Sequence, residues 1–349
     1  MVAAWFCPSC STAIFKLAAK TEQNSTTMAD KFKWCFIGAG VLANRVAKLI
    51  TASGKHEIKS VFTRRPENAR AFADQFHCTP CDDPVTAITM DGVKCVYIAT
   101  PHNTHYTYTK LALEAGKPVL CEKPFTTDAC SAEELFSLAA EKELYLAEAM
   151  WTWFSPVANR IKKWLDDGEF GALESTVFHY HMDVRNYGRR LTDPNCAGGA
   201  LLDTGIYPIS YIYRLFGRPS CVSCTGRIEN GIDLSEDITL GFPDGKSYNA
   251  SVSMCDSEGG ILLAIRGSKA HLECASFHSA TEAVLVRYAG TTETVSCDNG
   301  YVNEFDLVAG EILAGLTESR YVPRSATINT LRILDECRRQ MHLVYPFEN

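Results

Sequence analysis

Small residues at Gly38, Gly40 and Ala43 follow the apolar pair Phe36 and Ile37 and open directly into an amphipathic run. In a strand-turn-helix setting that spacing serves a dinucleotide. The first glycine permits a tight turn, the second lets a pyrophosphate approach the backbone, and a small third residue lets helix and strand pack closely. The phosphate then meets the helix N-terminus at Val41 and Leu42. The plain alternative is a glycine turn of any βα unit, and the apolar run before the motif with the helical period after it favours the dinucleotide. The next apolar run ends in Thr63-Arg64-Arg65, where an NAD-binding chain places an acid on the ribose 2'-hydroxyl. Two guanidinium groups there suit a 2'-phosphate, so NADP is the expected cofactor, NAD the alternative, and a solvated basic turn the plain reading.

A second set of residues could move protons. In Pro118-Val-Leu-Cys-Glu122-Lys123-Pro124 the lysine falls just past the carboxyl end of an apolar run, where open α/β sheets bind ligands. Asp203 and Tyr207 are four apart, hence on one face if their stretch is helical. A surface lysine and a buried structural tyrosine are the plain readings, and neither motif specifies a reaction by itself.

The elements that must position these groups are legible in the apolar periodicity. From residue 33 to about 147, β-like runs at 33–38, 57–63, 94–100, 118–121 and 144–147 alternate with helical patterns beginning near Val41, Pro66, Asn103 and Asp128. That alternation predicts βαβ units and a doubly wound parallel sheet. After Trp151 the pattern changes to a helix at 157–166, a strand at 173–181 and an apolar helix at 201–216. Longer strands then run from 221 to about 295, separated by Asn230-Gly231, Pro243-Asp244-Gly245 and Glu258-Gly259-Gly260 turns, and predict an antiparallel sheet. Helices at 301–315 and 325–342 close the chain.

Composition fits this class. The chain has 349 residues, 46% hydrophobic and 21% charged, which suits two folded domains and no disordered or collagen-like polymer. A net charge of -7 argues against a general nucleic-acid binder. No apolar run approaches the roughly 20 residues of a membrane-spanning helix. Fifteen cysteines include the pairs Cys7/Cys10, Cys78/Cys81 and Cys221/Cys224. No two pairs lie at zinc-ribbon separation, and Cys35, Cys95 and Cys121 sit in apolar runs, so free thiols and a reducing cytoplasm are expected and no metal. Residues 1–28 read as a disordered extension.

The glycine loop, Ala99-Thr100-Pro101-His102-Asn103-Thr104-His105, Glu122-Lys123-Pro124 and the Asp203/Tyr207 segment together resemble the glucose-fructose oxidoreductase, inositol dehydrogenase and rhizopine-catabolism family, from about residue 31 to the C-terminus. Ala149-Met150-Trp151-Thr152 and residues 199–207 most resemble its trans-dihydrodiol and NADP-dependent D-xylose dehydrogenases. The resemblance implies an N-terminal Rossmann domain (29–150) that binds NADP. It also implies a C-terminal α/β domain (151–349) whose open, largely antiparallel sheet forms a homodimer and whose last helix packs back on the first domain. It implies Lys123 and Tyr207 as the catalytic pair with Asp203 beside them, and Trp151 as a pocket wall; the rings of Trp151, Trp153 and Phe154 suit stacking on a substrate and equally suit the core, and Phe154 is taken as substrate-binding. Thr100, Pro101, Asn103, His105, Glu122 and Lys123 would be further cofactor contacts.

The implied reaction is hydride transfer between NADP and a trans-dihydrodiol or a pentose such as D-xylose. Another sugar, an inositol or a keto-sugar is the alternative, and a dinucleotide-binding sensor the non-enzymatic one. The chemistry agrees: a phenol with an ordinary pKa of about 10 is a poor base, and a neighbouring ammonium would lower it. Three departures bear on the substrate. Relatives of the dihydrodiol type read arginine where Trp153 stands, many members have histidine where Tyr207 stands, and the loop 184–187 has no placed counterpart.

Overall fold

The structure is a computed structural model that describes residues 30–298 and 300–348. The expected disordered extension and the Cys7/Cys10 pair lie outside the described residues. Six parallel strands, β1 (Phe32–Ile37), β2 (His56–Phe62), β3 (Thr79–Cys81), β4 (Cys95–Ile98), β5 (Val119–Glu122) and β6 (Leu146–Ala149), form the first sheet. Between them run α1 (Val41–Ala52), α2 (Pro66–Phe76), α3 (Pro84–Thr89), α4 (His105–Glu114) and α5 (Ala129–Glu141).

The strand order is β3-β2-β1-β4-β5-β6, and every pair is parallel. The order reverses between β1 and β4, and there an open sheet leaves a crevice at the carboxyl ends of its strands. Helices cover both faces, so every residue of β4, β5 and β6 is buried, which is why these strands read as apolar runs broken only by Glu122 and Glu148. The helix starts follow local chemistry. Pro66 and Pro84 stand in the first turns, while Asp83 and Asp128 cap α3 and α5 by accepting from the amides of Thr86 and Ser131 at 2.7 and 2.8 Å. β3 and α3 were not expected from the sequence: three and six residues are too few to show a period.

After α6 (Pro156–Asp166) comes the second sheet, built from β7 (Leu173–His181) and, beyond α7 (Ile206–Phe216), seven strands: β8 (Cys221–Glu229), β9 (Ile232–Gly241), β10 (Ser247–Ser253), β11 (Ile261–Gly267), β12 (Ala270–Ala275), β13 (Glu282–Arg287) and β14 (Thr292–Ser296). Their order is β14-β13-β12-β11-β7-β10-β9-β8, with β7/β10 the one parallel pair, so the sheet is open and largely antiparallel. Along β9 burial alternates, with Glu236, Ile238 and Leu240 inside and Asp237 and Thr239 outside. The exposed backbone edge of β8 is closed by Gln340, which accepts from the Cys224 amide and donates to the Val222 carbonyl, both at 2.8 Å.

The last two helices, α8 (Gly300–Leu313) and α9 (Arg324–Met341), return to the first sheet. Phe305 of α8 packs on Trp34 of β1 with ring centres 4.6 Å apart, and Asp306 meets His56 Nε2 at 2.9 Å. Asp335 of α9 accepts from the Ala129 amide at 2.8 Å, and Thr327 donates to Glu148 at 2.8 Å. α9 thus makes polar contacts with α5 and β6. No helix among the described residues is long and apolar enough to cross a membrane. Cys78, Cys81, Cys221 and Cys224 are free thiols. Cys221 is exposed and Cys224 buried because residues three apart on a strand face opposite ways, a geometry that prevents joint chelation by this pair.

Candidate active site

β5 ends at Glu122, so Lys123 projects at the carboxyl edge of the first sheet. Its Nζ donates to the Asp203 carbonyl at 2.6 Å and to Asp203 Oδ1 at 3.2 Å, with only 11% of the side chain exposed. Asp203 lies in a π-helical turn, Leu201–Gly205, that runs into α7, and Tyr207 is in the first turn of that helix. Wide turns of this kind recur at functional sites. This one is pinned from β9: Asp233 Oδ2 accepts from the Leu201 amide at 2.5 Å. Gly199, at φ +127°, leaves room for the same carboxylate, which a Cβ would strike.

Asp203 is buried between two cations and a neutral imidazole. Besides Lys123, Arg190 Nη1 lies 3.3 Å from its Oδ1, and His102, which burial keeps uncharged, has Nε2 at 3.7 Å. Burial by itself would favour the neutral acid, but Lys123 and Arg190 reverse the balance and hold the carboxyl well below the usual carboxylate range.

Tyr207 is buried with its hydroxyl accepting from Trp151 Nε1 at 3.1 Å. Its ring stacks on Tyr180 at 5.5 Å, and Lys123 Nζ stands 4.8 Å from the ring centre. Burial pushes the phenol up, and the Trp151 hydrogen bond acts in the opposite direction. The structure therefore corrects one expectation: the hydrogen bonds of Lys123 go to Asp203, and the indole of Trp151 is the group bonded to the phenol oxygen. Trp151 in turn stacks on Tyr301 at 4.4 Å and meets His278 edge-on at 5.9 Å, while Arg45 lies 5.6 Å over Tyr301.

The glycine loop fits a dinucleotide. A Cβ at Gly38 (φ +110°) would collide with the Ala99 carbonyl at the end of β4, so the tight turn requires glycine. Around Gly40 the space is open, and Val41 beside it is 90% exposed at the start of α1. That helix has no side-chain cap and no acid in its first turn, which leaves its N-terminal amides to an incoming phosphate. Leu42 packs partly against the core, and Thr63, Arg64 and Arg65 follow β2 at the same end of the sheet, with both arginines exposed. Thr100 Oγ1 accepts from Thr104, Pro101 starts a 3-10 turn, and Asn103 Oδ1 is buried without a partner.

Three expected contacts are corrected. His105 is fully buried, with Nδ1 facing the Pro124 carbonyl at 2.8 Å and Nε2 facing the Thr100 carbonyl at 2.9 Å, so no ring nitrogen is left for a cofactor. Glu122 points inward, where its oxygens accept from Tyr97 at 2.6 Å and the Lys123 amide at 3.2 Å, and burial moves its pKa up to about 7. Phe154 packs in the core against Tyr321 instead of walling the pocket. Sequence reasoning missed Arg190, Tyr180, His278 and Tyr301, which reach the site from four separate segments.

Two family models match the chain: an oxidoreductase family with an NAD-binding Rossmann fold over residues 32–149, and the GFO/IDH/MocA C-terminal domain over residues 158–273. The chain belongs to the GFO/IDH/MocA oxidoreductase family. It is 30% identical to the trans-1,2-dihydrobenzene-1,2-diol dehydrogenase of Mus musculus, over 90% of this chain and 98% of that one. It is also 30% identical to the NADP-dependent D-xylose 1-dehydrogenase of Hypocrea jecorina, over 73% and 74% of the two chains. A 3-ketoreductase from Actinomadura kijaniata, solved with NADP and TDP-benzene, shares the fold with a TM-score of 0.78 at 24% identity, covering 89% of this chain and 98% of that one. As a GFO/IDH/MocA member the chain is an NAD(P)-dependent oxidoreductase that acts on CH-OH groups, and its fold brings Lys123, Asp203 and Tyr207 together.

Proposed function

We propose that the protein is an NADP-dependent dehydrogenase of a trans-dihydrodiol or a pentose such as D-xylose. In this reading residues 29–150 hold the cofactor and 151–349 shape the substrate side. The observation that carries it is the convergence of Lys123, Asp203, Tyr207 and Trp151 beside the glycine loop. Gly38, Gly40, Val41 and Leu42 would hold the diphosphate, and Arg64 with Arg65 the 2'-phosphate. When bound, the nicotinamide supplies the hydride acceptor or donor.

The side chains do the rest. Tyr207, a neutral phenol at rest, donates its proton to a carbonyl oxygen in reduction, and in oxidation it must first lose that proton, so that the phenolate takes the hydroxyl proton. Trp151, by donating to the phenol oxygen, stabilises the phenolate that reduction leaves on Tyr207 and that oxidation needs at the outset. Lys123 has three N–H donors, two of them directed at Asp203, and the third meets the substrate oxygen. Asp203, held charged by Lys123 and Arg190, fixes that ammonium in place. The names of the two relatives support this substrate range, and the indole face of Trp151 suits a flat ring or a sugar. We also infer a homodimer that pairs through the open sheet, which light scattering would register as twice the chain mass.

The test is cofactor reduction by the purified protein on D-xylose, D-glucose, myo-inositol and trans-dihydrobenzenediol, with NADP and with NAD. Turnover of the pentose or the diol with NADP is expected. Turnover confined to the inositol, or preference for NAD, would overturn the reading.

A further inference from the structure

The proposed reaction uses Lys123, Asp203, Tyr207 and Trp151, and leaves one polar ring of the site without a task. His278 lies in a 3-10 turn, Phe277–Ser279, that follows β12. Its ring centre is 4.9 Å from Tyr180, 5.2 Å from Tyr207 and 5.9 Å from Trp151, so it abuts the phenol and both rings packed around it. The imidazole makes no hydrogen bond among the described residues. Nδ1 is enclosed without a partner, Nε2 has no hydrogen bond among the described residues, and the residue is half-buried beside the Tyr207 ring.

An aromatic wall does not require an imidazole. Phe277, Tyr180 and Trp151 already supply the apolar surface, and another phenyl ring would complete it without leaving a polar atom unpaired. Unpaired polar groups in enclosed places are costly and are retained where a function uses them. The charge state is settled by the surroundings. Burial first, then Lys123 on the loop after β5 and Arg45 on α1, bring the ring down to about 4, so it is neutral at physiological pH and has one donor and one acceptor nitrogen. The titratable groups around it are Tyr180 of β7, Tyr207 of α7 and Tyr301 of α8, which burial keeps as neutral phenols.

We propose that His278 binds a hydroxyl on the carbon next to the reacting one, so that the site selects vicinal hydroxyls, as in a sugar or a ring diol, over simple alcohols. The inference rests on the dehydrogenase reading above and names the feature of the substrate that the site reads. One oxygen of the pair meets Tyr207 and Lys123, and its neighbour meets the imidazole. A neutral ring suits this task because it contributes a directional hydrogen bond without a charge that would attract an anion in place of a polyol.

The experiment compares kcat/KM for D-xylose with kcat/KM for 2-deoxy-D-xylose, in the wild type and in His278→Phe, with NADP affinity measured on each protein. The wild type is expected to favour D-xylose by roughly tenfold or more, the worth of one hydrogen bond in an enclosed site. His278→Phe is expected to bring that ratio to about one, mainly through KM, with NADP affinity within about twofold. His278→Asn, which restores a donor, is expected to recover part of the preference, and serves also if the phenylalanine variant does not fold. An unchanged ratio in a folded, NADP-binding variant overturns the assignment of His278 and leaves the dehydrogenase reading intact. A wild type that binds NADP but turns over neither D-xylose nor a trans-dihydrodiol overturns both.

Discussion

At the scale of single residues the site is a division of charge. Asp203 absorbs the cationic field of Lys123 and Arg190, while the phenol beside it is left to burial and to the Trp151 hydrogen bond. Because the indole N–H lowers the phenol pKa and burial raises it, Trp151→Phe removes the lowering contribution. The limb of the oxidation pH profile on which the rate rises with pH, where the phenolate forms, should then move to higher pH, with kcat falling about tenfold for a lost hydrogen bond of this kind. An unshifted limb would separate Trp151 from the proton transfer. On the cofactor side, Arg64→Ala combined with Arg65→Ala should weaken NADP about tenfold or more and leave NAD within about twofold, read by equilibrium binding. Strand-end position singled out Lys123 and helical spacing the Asp203/Tyr207 pair, because both are local properties, whereas their proposed roles came from the resemblance. His105 and Glu122 were misread because a motif does not reveal that Pro124, Thr100 and Tyr97 already occupy their polar atoms. His278 and Arg190 were invisible because only the folded chain carries them to Tyr207 or Asp203.

At the scale of elements, the placement of Asp203 and Tyr207 depends on how one turn begins. The π-turn is tied to β9 by a single carboxylate, and Asp233→Ala would release the Leu201 amide while keeping every residue that touches substrate. We expect kcat to fall roughly tenfold or more with NADP affinity unchanged, since small misplacement of reacting groups costs rate before it costs binding. An unchanged kcat would mean the turn holds itself. The sequence predicted β7 with the bounds the structure shows, Leu173–His181, although burial alternates only over its last five residues, where Phe178 and Tyr180 are buried and Val177, His179 and His181 partly exposed. The helix expected at 201–216 is present but opens as the π-turn, a local widening that residue spacing does not encode. β3 and α3 escaped because Pro80 interrupts a strand of three residues and α3 has fewer than two turns.

At the scale of the whole molecule, the chain closes on itself: α8 and α9 come last in sequence and pack on the first sheet. Phe305→Ala would open a cavity against Trp34 and Tyr97 and should cost about 3–5 kcal/mol, measured by urea unfolding. A smaller loss would show that α8 docks mainly through other contacts. The same closure buries Glu148 beneath Thr327 of α9, and burial raises its pKa from 4.5 to about 7. A raised carboxyl pKa means that the native state holds the proton more tightly than the unfolded chain. The contribution of this group is thus present below about pH 4.5 and is lost as pH rises through about 7. In Glu148→Gln that loss should disappear, so the thermal midpoint of the variant should gain on the wild type between pH 5 and pH 8, and a parallel dependence would exclude Glu148 as its source. The sequence periods revealed both sheets, but not the strand order or the return of the last helices in full, because those depend on contacts between residues hundreds of positions apart.

The measurement closest to the central claim is turnover in Tyr207→Phe with NADP and D-xylose or trans-dihydrobenzenediol, beside NADP affinity and the folded-state spectrum. A fall of about 10² to 10⁴ in kcat with cofactor affinity and fold preserved is expected of the proton-transferring group. Turnover within a few-fold of the wild type would contradict the assignment of Tyr207 and the mechanism built on it.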